Sequence, residues 1–170
     1  MNKDNTMNNN NMFHNTLHIR LMHKKDLQPL AEAYVAAYEQ QNIGEHWTIG
    51  TAKQLLAYWL KKQPDLAFVA ECDGKPVGAF IAGIKPWWDG NHLFDGELFV
   101  HPDFQKQGVG TELSKVLYKT AFKKYKVTKY DAFTFKKIKF PLQWYKKQGF
   151  IEQKEWTIIS GDVREIIKNL

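Results

Sequence analysis

Apolar positions along the chain switch between a period of two and a period near 3.6, and the switches mark out elements. Leu17 to Met22 alternates apolar and polar residues, which predicts a strand. From Asp26, a candidate N-cap, Leu27, Leu30, Ala31, Tyr34, Val35 and Tyr38 recur at helical spacing. After an NIGEHW loop, Thr48 or Thr51 can cap a second helix striped by Ala52, Leu55, Leu56, Trp59 and Leu60. Leu66 to Cys72 reads as a strand, Asp-Gly-Lys as a tight turn, and Pro76 to Lys85 as the returning strand. PWWDGN reads as a loop with two exposed tryptophans, and a further strand ends at Val100. A helix is expected from about Gly108 to Tyr125, with Leu113, Val116, Leu117, Thr120 and Ala121 on one face. A strand over Lys129 to Phe135 and a short helix closed by Gly149 follow. One or two strands over Phe150 to Ser160 and a terminal turn or helix complete the order β-α-α-β-β-β-α-β-α-β. Hairpin strands and helix-separated strands in one chain predict an α/β (α+β) fold, a mixed, mostly antiparallel central sheet flanked by helices.

With 170 residues, 44% of them hydrophobic, the chain suits one domain with a proper core. The expected division is an Asn-rich, disordered tail over 1–16 and a single domain over 17–170. The tail lacks the apolar core of a signal peptide, and no apolar run approaches the roughly 20 residues of a membrane span. A cytoplasmic location is therefore expected. The single cysteine, Cys72, excludes an intramolecular disulfide and reads as a buried thiol in a strand. The six histidines show no metal-ligand spacing, so no metal is expected.

Net charge is +6 and unevenly spread: residues 30–100 carry −4, and residues 101–170 carry +8. Such a chain could hold a polyanion with its second half and a cation with its first, or simply carry uneven solvated charge. The basic half raises a nucleic-acid-binding module as a rival, but no helix-turn-helix or aromatic-basic motif supports it.

Between strand and helix stands VHPDFQKQGVGTEL, Val100 to Leu113. Gly108 and Gly110 remove Cβ atoms where the backbone enters a helix, so a ligand can approach unpaired N–H donors and a partial positive charge. Lys106 adds a formal charge. A glycine-softened turn with nothing bound is the plainer alternative. The P-loop pattern is absent, and the dinucleotide fingerprint lacks its third glycine.

Val100, Pro102, Gln105, Gly108 and Gly110 form V-x-P-x-x-Q-x-x-G-x-G, which resembles the acyl-coenzyme A signature of the GNAT superfamily of N-acetyltransferases. WYKKQGF, Trp144 to Phe150, resembles that family's aromatic-Tyr-x-x-x-Gly-Phe segment, and the ordered set covers roughly Leu17 to Ser160. The resemblance implies a GNAT-like fold and acetyl-CoA as co-substrate. It implies that Leu98, Phe99 and Val100 pair with the pantetheine arm where the sheet splays open. The N–H groups of Gln107, Gly108, Val109, Gly110 and Thr111, with the side chains of Gln105 and Lys106, would hold the pyrophosphate. Tyr145 would face the thioester sulfur and protonate the leaving thiolate; a packed aromatic is its alternative. The family often carries Asn-x-x-Ala seven residues before that tyrosine, where this chain has Ile138 and Pro141. Lys136, Lys137 and Lys139 could meet a 3′-phosphate or be solvated.

An alkylamine with a pKa near ~10.4 is protonated at neutral pH, so an acetyltransferase must accept a proton before nitrogen attacks. Glu97 is the candidate base or water relay; an acceptor anchor or a surface residue is the alternative. Carboxylates beside aromatic faces suit a cationic, partly apolar amine. Trp47, Trp88 and Asp95 are the expected acceptor-binding residues, unless they are core or solvated. The expected partner is a small amine of aminoglycoside or polyamine type, with neither nucleic acid nor membrane; a homodimer stays open. Alternatives are a protein or peptide N-acetyltransferase and a non-catalytic acyl-CoA sensor.

Overall fold

The computed structural model describes residues 16–42 and 44–170, so the expected Asn-rich tail lies outside the described residues but for Thr16. The chain divides between Ala132 and Phe133 into two compact units.

The first unit is built on a five-stranded sheet: β1 (Leu17–Leu21), β2 (Ala67–Cys72), β3 (Lys75–Trp87), β4 (Gly90–Val100) and β5 (Lys129–Asp131), in that order. Neighbours are antiparallel from β1 to β4, while β5 runs parallel to β4. A parallel neighbour needs a long crossover, and α3 (Val109–Tyr125) supplies it. Helices α1 (Leu27–Gln41) and α2 (Ile49–Lys62) lie between β1 and β2 in sequence. The expected class, a mixed sheet flanked by helices, is the one observed.

Alternation along the strands sorts side chains into two cores. Val69, Ala79, Ile81 and Phe99 pack with Leu30 and Tyr34 of α1 and Leu56 and Trp59 of α2. Phe68, Phe80, Leu93 and Val100 pack with Val109, Leu113 and Leu117 of α3. Each such aliphatic side chain taken from water contributes about 1.5–3 kcal/mol, so both helical layers are held by burial.

Local differences from the sequence reading have physical causes. Thr48 caps α2 as expected, its hydroxyl accepting from the Thr51 N–H at 3.1 Å. Asp26 precedes α1 but does not cap it. Its carboxylate accepts instead from the Arg20 guanidinium at 2.7 and 2.9 Å and from the His23 N–H at 2.8 Å. A buried carboxylate is satisfied better by that planar fork than by one helix amide. PWWDGN is not a loop: β3 runs to Trp87, Trp88 and Asp89 form the turn, and β4 starts at Gly90. The strand expected over Lys129 to Phe135 stops at Asp131.

The second unit holds α4 (Lys139–Lys147) and α5 (Val163–Lys168). Gly149 takes a left-handed φ of 96° just past α4, the stop its position predicted. The stretch from Phe150 to Ser160 forms no strand, contrary to expectation. Ile151, Trp156, Ile158 and Ile159 are 66–88% exposed, and an alternating pattern without a paired neighbour does not make a strand. Among the described residues no helix is long and apolar enough to cross a membrane.

Candidate active site

Near the middle of β4 the register shifts. Glu97 pairs with Ile81 but Phe94 pairs with Gly83, so Asp95 and Gly96 together oppose Ala82 in a β-bulge. Asp95 has φ 52° and Gly96 φ 118°. The bulge puts Phe94 and Glu97, three residues apart, on the same face of the sheet. That face is the one covered by α1 and α2.

Glu97 therefore points into aromatic surroundings. Its Oε2 accepts from the Tyr34 hydroxyl at 3.0 Å. The Tyr34 ring stacks on Tyr38 at 4.4 Å and meets the edges of Trp47 and Phe99 at 5.2 and 4.9 Å. Burial pushes the Glu97 carboxyl up to about 7, and the charges of Asp95 and Glu45 add to the rise, against the downward pull of the Tyr34 hydrogen bond. The Trp59 indole N–H also lowers that pKa, without reaching hydrogen-bond geometry. Burial likewise raises Asp95, while burial and the Glu97 charge hold the Tyr34 phenol far above its ordinary range. A carboxyl that titrates near neutrality beside a neutral phenol can exchange protons at physiological pH.

Trp47 and Asp95 come together with Glu97 in this way, and Trp47 donates its indole N–H to Glu45 at 2.7 Å. Trp88 does not join them: it sits 87% exposed in the β3–β4 turn. Its neighbour Trp87 lies against Lys85, whose Nζ is 4.0 Å from that ring and 4.1 Å from Phe94.

Beyond Phe94, β4 loses its second neighbour. β5 pairs only with His92, Leu93 and Phe94, so Leu98, Phe99 and Val100 have β3 on one side and, among the described residues, no strand on the other. The chain then turns through Pro102–Phe104 into the loop before α3. Gln105 ties the loop back, its side-chain amide donating to the Val100 carbonyl at 2.9 Å, and Gln107 donates to the Asp103 carbonyl at 2.7 Å. Lys106 is exposed with φ 59°, and Gly108 follows with φ 86°. A Cβ on Gly108 would meet nothing within 4 Å, so the loop leaves open space there. The first bond inside α3 runs from the Glu112 N–H to the Gly108 carbonyl at 3.0 Å. The amides of Val109, Gly110 and Thr111 precede it, at the positive end of a helix dipole. The Val109 side chain is core, so only its amide can serve a ligand. An anionic group fits this cradle. Among the described residues no three His, Cys, Asp or Glu gather as metal ligands.

Tyr145 belongs to the second unit, on α4, with its ring 5.1 Å from both Trp144 and Phe150. Its carbonyl accepts from the Gln148 and Phe150 amides, which turns the chain after the helix. Lys136 pairs with Glu152 at 2.6 Å.

A family model described as the acetyltransferase (GNAT) family matches residues 27–150. The chain belongs to that family. Among its relatives is an uncharacterized N-acetyltransferase of Methanocaldococcus jannaschii, 30% identical over 155 residues, covering 89% of this chain and 66% of that protein. This GNAT chain thus spans just under two thirds of that relative's length. A solved protein of Pyrococcus horikoshii is 25% identical with a TM-score of 0.66, over 86% of this chain and 93% of that one. The PaiA N-acetyltransferase of Thermoplasma acidophilum, solved in complex with coenzyme A, is alike in fold, with a TM-score of 0.66 at 18% identity over 81% of this chain and 91% of that one.

Sequence reasoning missed Tyr34, Tyr38 and Trp59 as neighbours of Glu97. Tyr34 and Tyr38 stand one helical turn apart, on the apolar stripe that helical spacing assigns to the core. The signal available was their type: a core stripe that uses tyrosine twice carries two hydroxyls needing partners.

Proposed function

We propose that this GNAT chain transfers acetyl from acetyl-CoA to a primary amine of a small cationic acceptor, aminoglycoside- or polyamine-like, by direct attack with both substrates bound. The observation that carries the reading is the Glu97 carboxyl, raised to about 7 within an aromatic wall, on the stretch of β4 that β5 does not pair. Glu97 takes a proton from the acceptor ammonium, directly or through water, and frees the nitrogen lone pair. Acetyl-CoA supplies the thioester whose carbon–sulfur bond breaks as the carbon–nitrogen bond forms. Tyr145, as the family resemblance implies, would give its phenolic proton to the departing sulfur and recover it from solvent, while the surplus nitrogen proton and the proton held by Glu97 leave to water.

Leu98, Phe99 and Val100 would pair their free edge with the pantetheine amides. The amides from Gln107 to Thr111 would receive the pyrophosphate, with Lys106 as counter-charge, and Gln105 would brace the loop from Val100. Trp47 and Asp95 would flank the amine, and Trp88 would offer a flat apolar face to a larger acceptor. The family match over 27–150 spans parts of both units, which supports one acetyltransferase domain there; the reading extends that domain to 17–170 and takes the enzyme as cytoplasmic.

The test is thiol release from acetyl-CoA by purified protein with kanamycin, spermidine and a short unblocked peptide. Release with kanamycin or spermidine supports the proposal, and release with the peptide alone makes the enzyme a peptide acetylase. Coenzyme binding without release would point to an acyl-CoA sensor, and no binding would refute the reading.

A further inference from the structure

We infer that Tyr34 is a positioning residue for acetyl transfer: its hydroxyl holds Oε2 of Glu97 and leaves Oε1 as the oxygen that takes the acceptor's proton. The inference rests on Glu97 being the base. Tyr34 is 1% exposed, and its ring is fixed from three elements: Tyr38 on α1, Trp47 on the α1–α2 loop and Phe99 on β4. A phenol so constrained delivers its hydrogen to one point, and the structure puts a carboxylate oxygen there at 3.0 Å. Its own proton is not available for exchange, because burial and the Glu97 charge keep the phenol protonated far beyond neutral pH. Tyr34 is thus a permanent donor to Glu97.

Two consequences follow. A carboxylate free to rotate would offer either oxygen, whereas the Tyr34 bond fixes its plane. The same bond favours the ionised carboxylate, offsetting part of the burial that disfavours it. The other groups acting on Glu97 are Tyr38 of α1, Glu45 of the following loop, Trp59 of α2 and Asp95 of β4. Asp95 and Glu45 raise its proton affinity; Tyr34, Trp59 and Tyr38 act on it as donors, and of these three Tyr34 meets hydrogen-bond geometry.

Tyr34→Phe keeps the ring contacts and deletes the donor. The test titrates the Glu97 side-chain carboxyl carbon by NMR in protein carrying 13C-glutamate, with Glu97→Gln assigning the resonance. It also records kcat against pH with whichever of kanamycin, spermidine or the peptide releases thiol fastest. The expected result for Tyr34→Phe is a Glu97 midpoint and an acidic limb of kcat both moved up by about one pH unit, with a several-fold lower plateau kcat and an unchanged acceptor KM. An unmoved midpoint overturns the inference, as does a loss confined to thermal stability or KM. If Glu97→Gln abolishes the limb while Tyr34→Phe leaves it in place, only the role of Tyr34 falls. If Glu97→Gln keeps the limb, Glu97 is not the base, and the role of Tyr34 falls with it.

Discussion

Gly96→Ala tests the bulge that turns Glu97 toward α1. A Cβ on Gly96 would stand 2.0 Å from the Ile81 carbonyl oxygen and 2.8 Å from the Ala82 Cα. Both are backbone atoms of the paired strand, so no side chain can swing away; β3 and β4 must part by more than about 1 Å to restore ordinary contact. Two costs add. A non-glycine residue at φ 118° carries about 1–3 kcal/mol of backbone strain. Forcing extra volume into the packed strand pair adds about 1–3 kcal/mol. Gly90→Ala separates them: Gly90 has φ 128°, and a Cβ there would meet nothing within 4 Å. Its substitution carries the strain alone. Urea and thermal unfolding of the two variants should therefore differ by about 1–3 kcal/mol, or roughly 3–10 °C in Tm for a chain of this size. Gly96→Ala should also lose turnover out of proportion to its stability, since Glu97 is the next residue. Equal destabilisation by the two substitutions would refute the steric argument and, with it, the claim that the bulge aims Glu97.

Gly108→Ala should leave stability nearly intact, costing about 1 kcal/mol for the left-handed φ, while raising the KM for acetyl-CoA at least tenfold; an unchanged KM would remove the loop from the coenzyme site. Tyr145→Phe should lower kcat tenfold or more with little change in coenzyme affinity, measured by titration calorimetry. The Glu97 carboxyl, raised in the folded protein to about 7 from an ordinary 4.5, binds a proton that the unfolded chain has released between those values. Its contribution therefore falls as pH rises through that window, by up to about 3 kcal/mol, and Glu97→Gln should flatten that slope in urea melts from pH 4.5 to 7.5.

Much of the fold was legible because burial writes its period into the chain. The strand around Ala67–Cys72, the Asp73-Gly74 turn and the α3 stripe all carried complementary signals of spacing and turn chemistry. The β3–β4 hairpin was less so. Trp87 and Trp88 suggested a loop because they are apolar, exposed and next to Gly90, yet cross-strand pairing carried β3 through Trp87. The alternation at Phe150–Ser160 misled because a strand exists only with a partner, and pattern alone does not report one. In the site, Glu97 could be found from its place before Val100, but its surroundings could not. The bulge at Asp95–Gly96 shifts the side-chain phase by one residue, and Tyr34 and Trp47 lie 63 and 50 residues before Glu97 in sequence.

The short β5 has a consequence for how this protein avoids sticking to itself. An unpaired strand edge invites another chain to add to it, and among the described residues β4 offers such an edge beyond Phe94. That edge is kept brief. The irregular backbone of Asp95 and Gly96 interrupts it at one end, and Pro102, with no N–H to donate, lies just past the other. What is left is a four-residue strip from Glu97 to Val100, long enough for a few amide pairings and too short to seed a sheet.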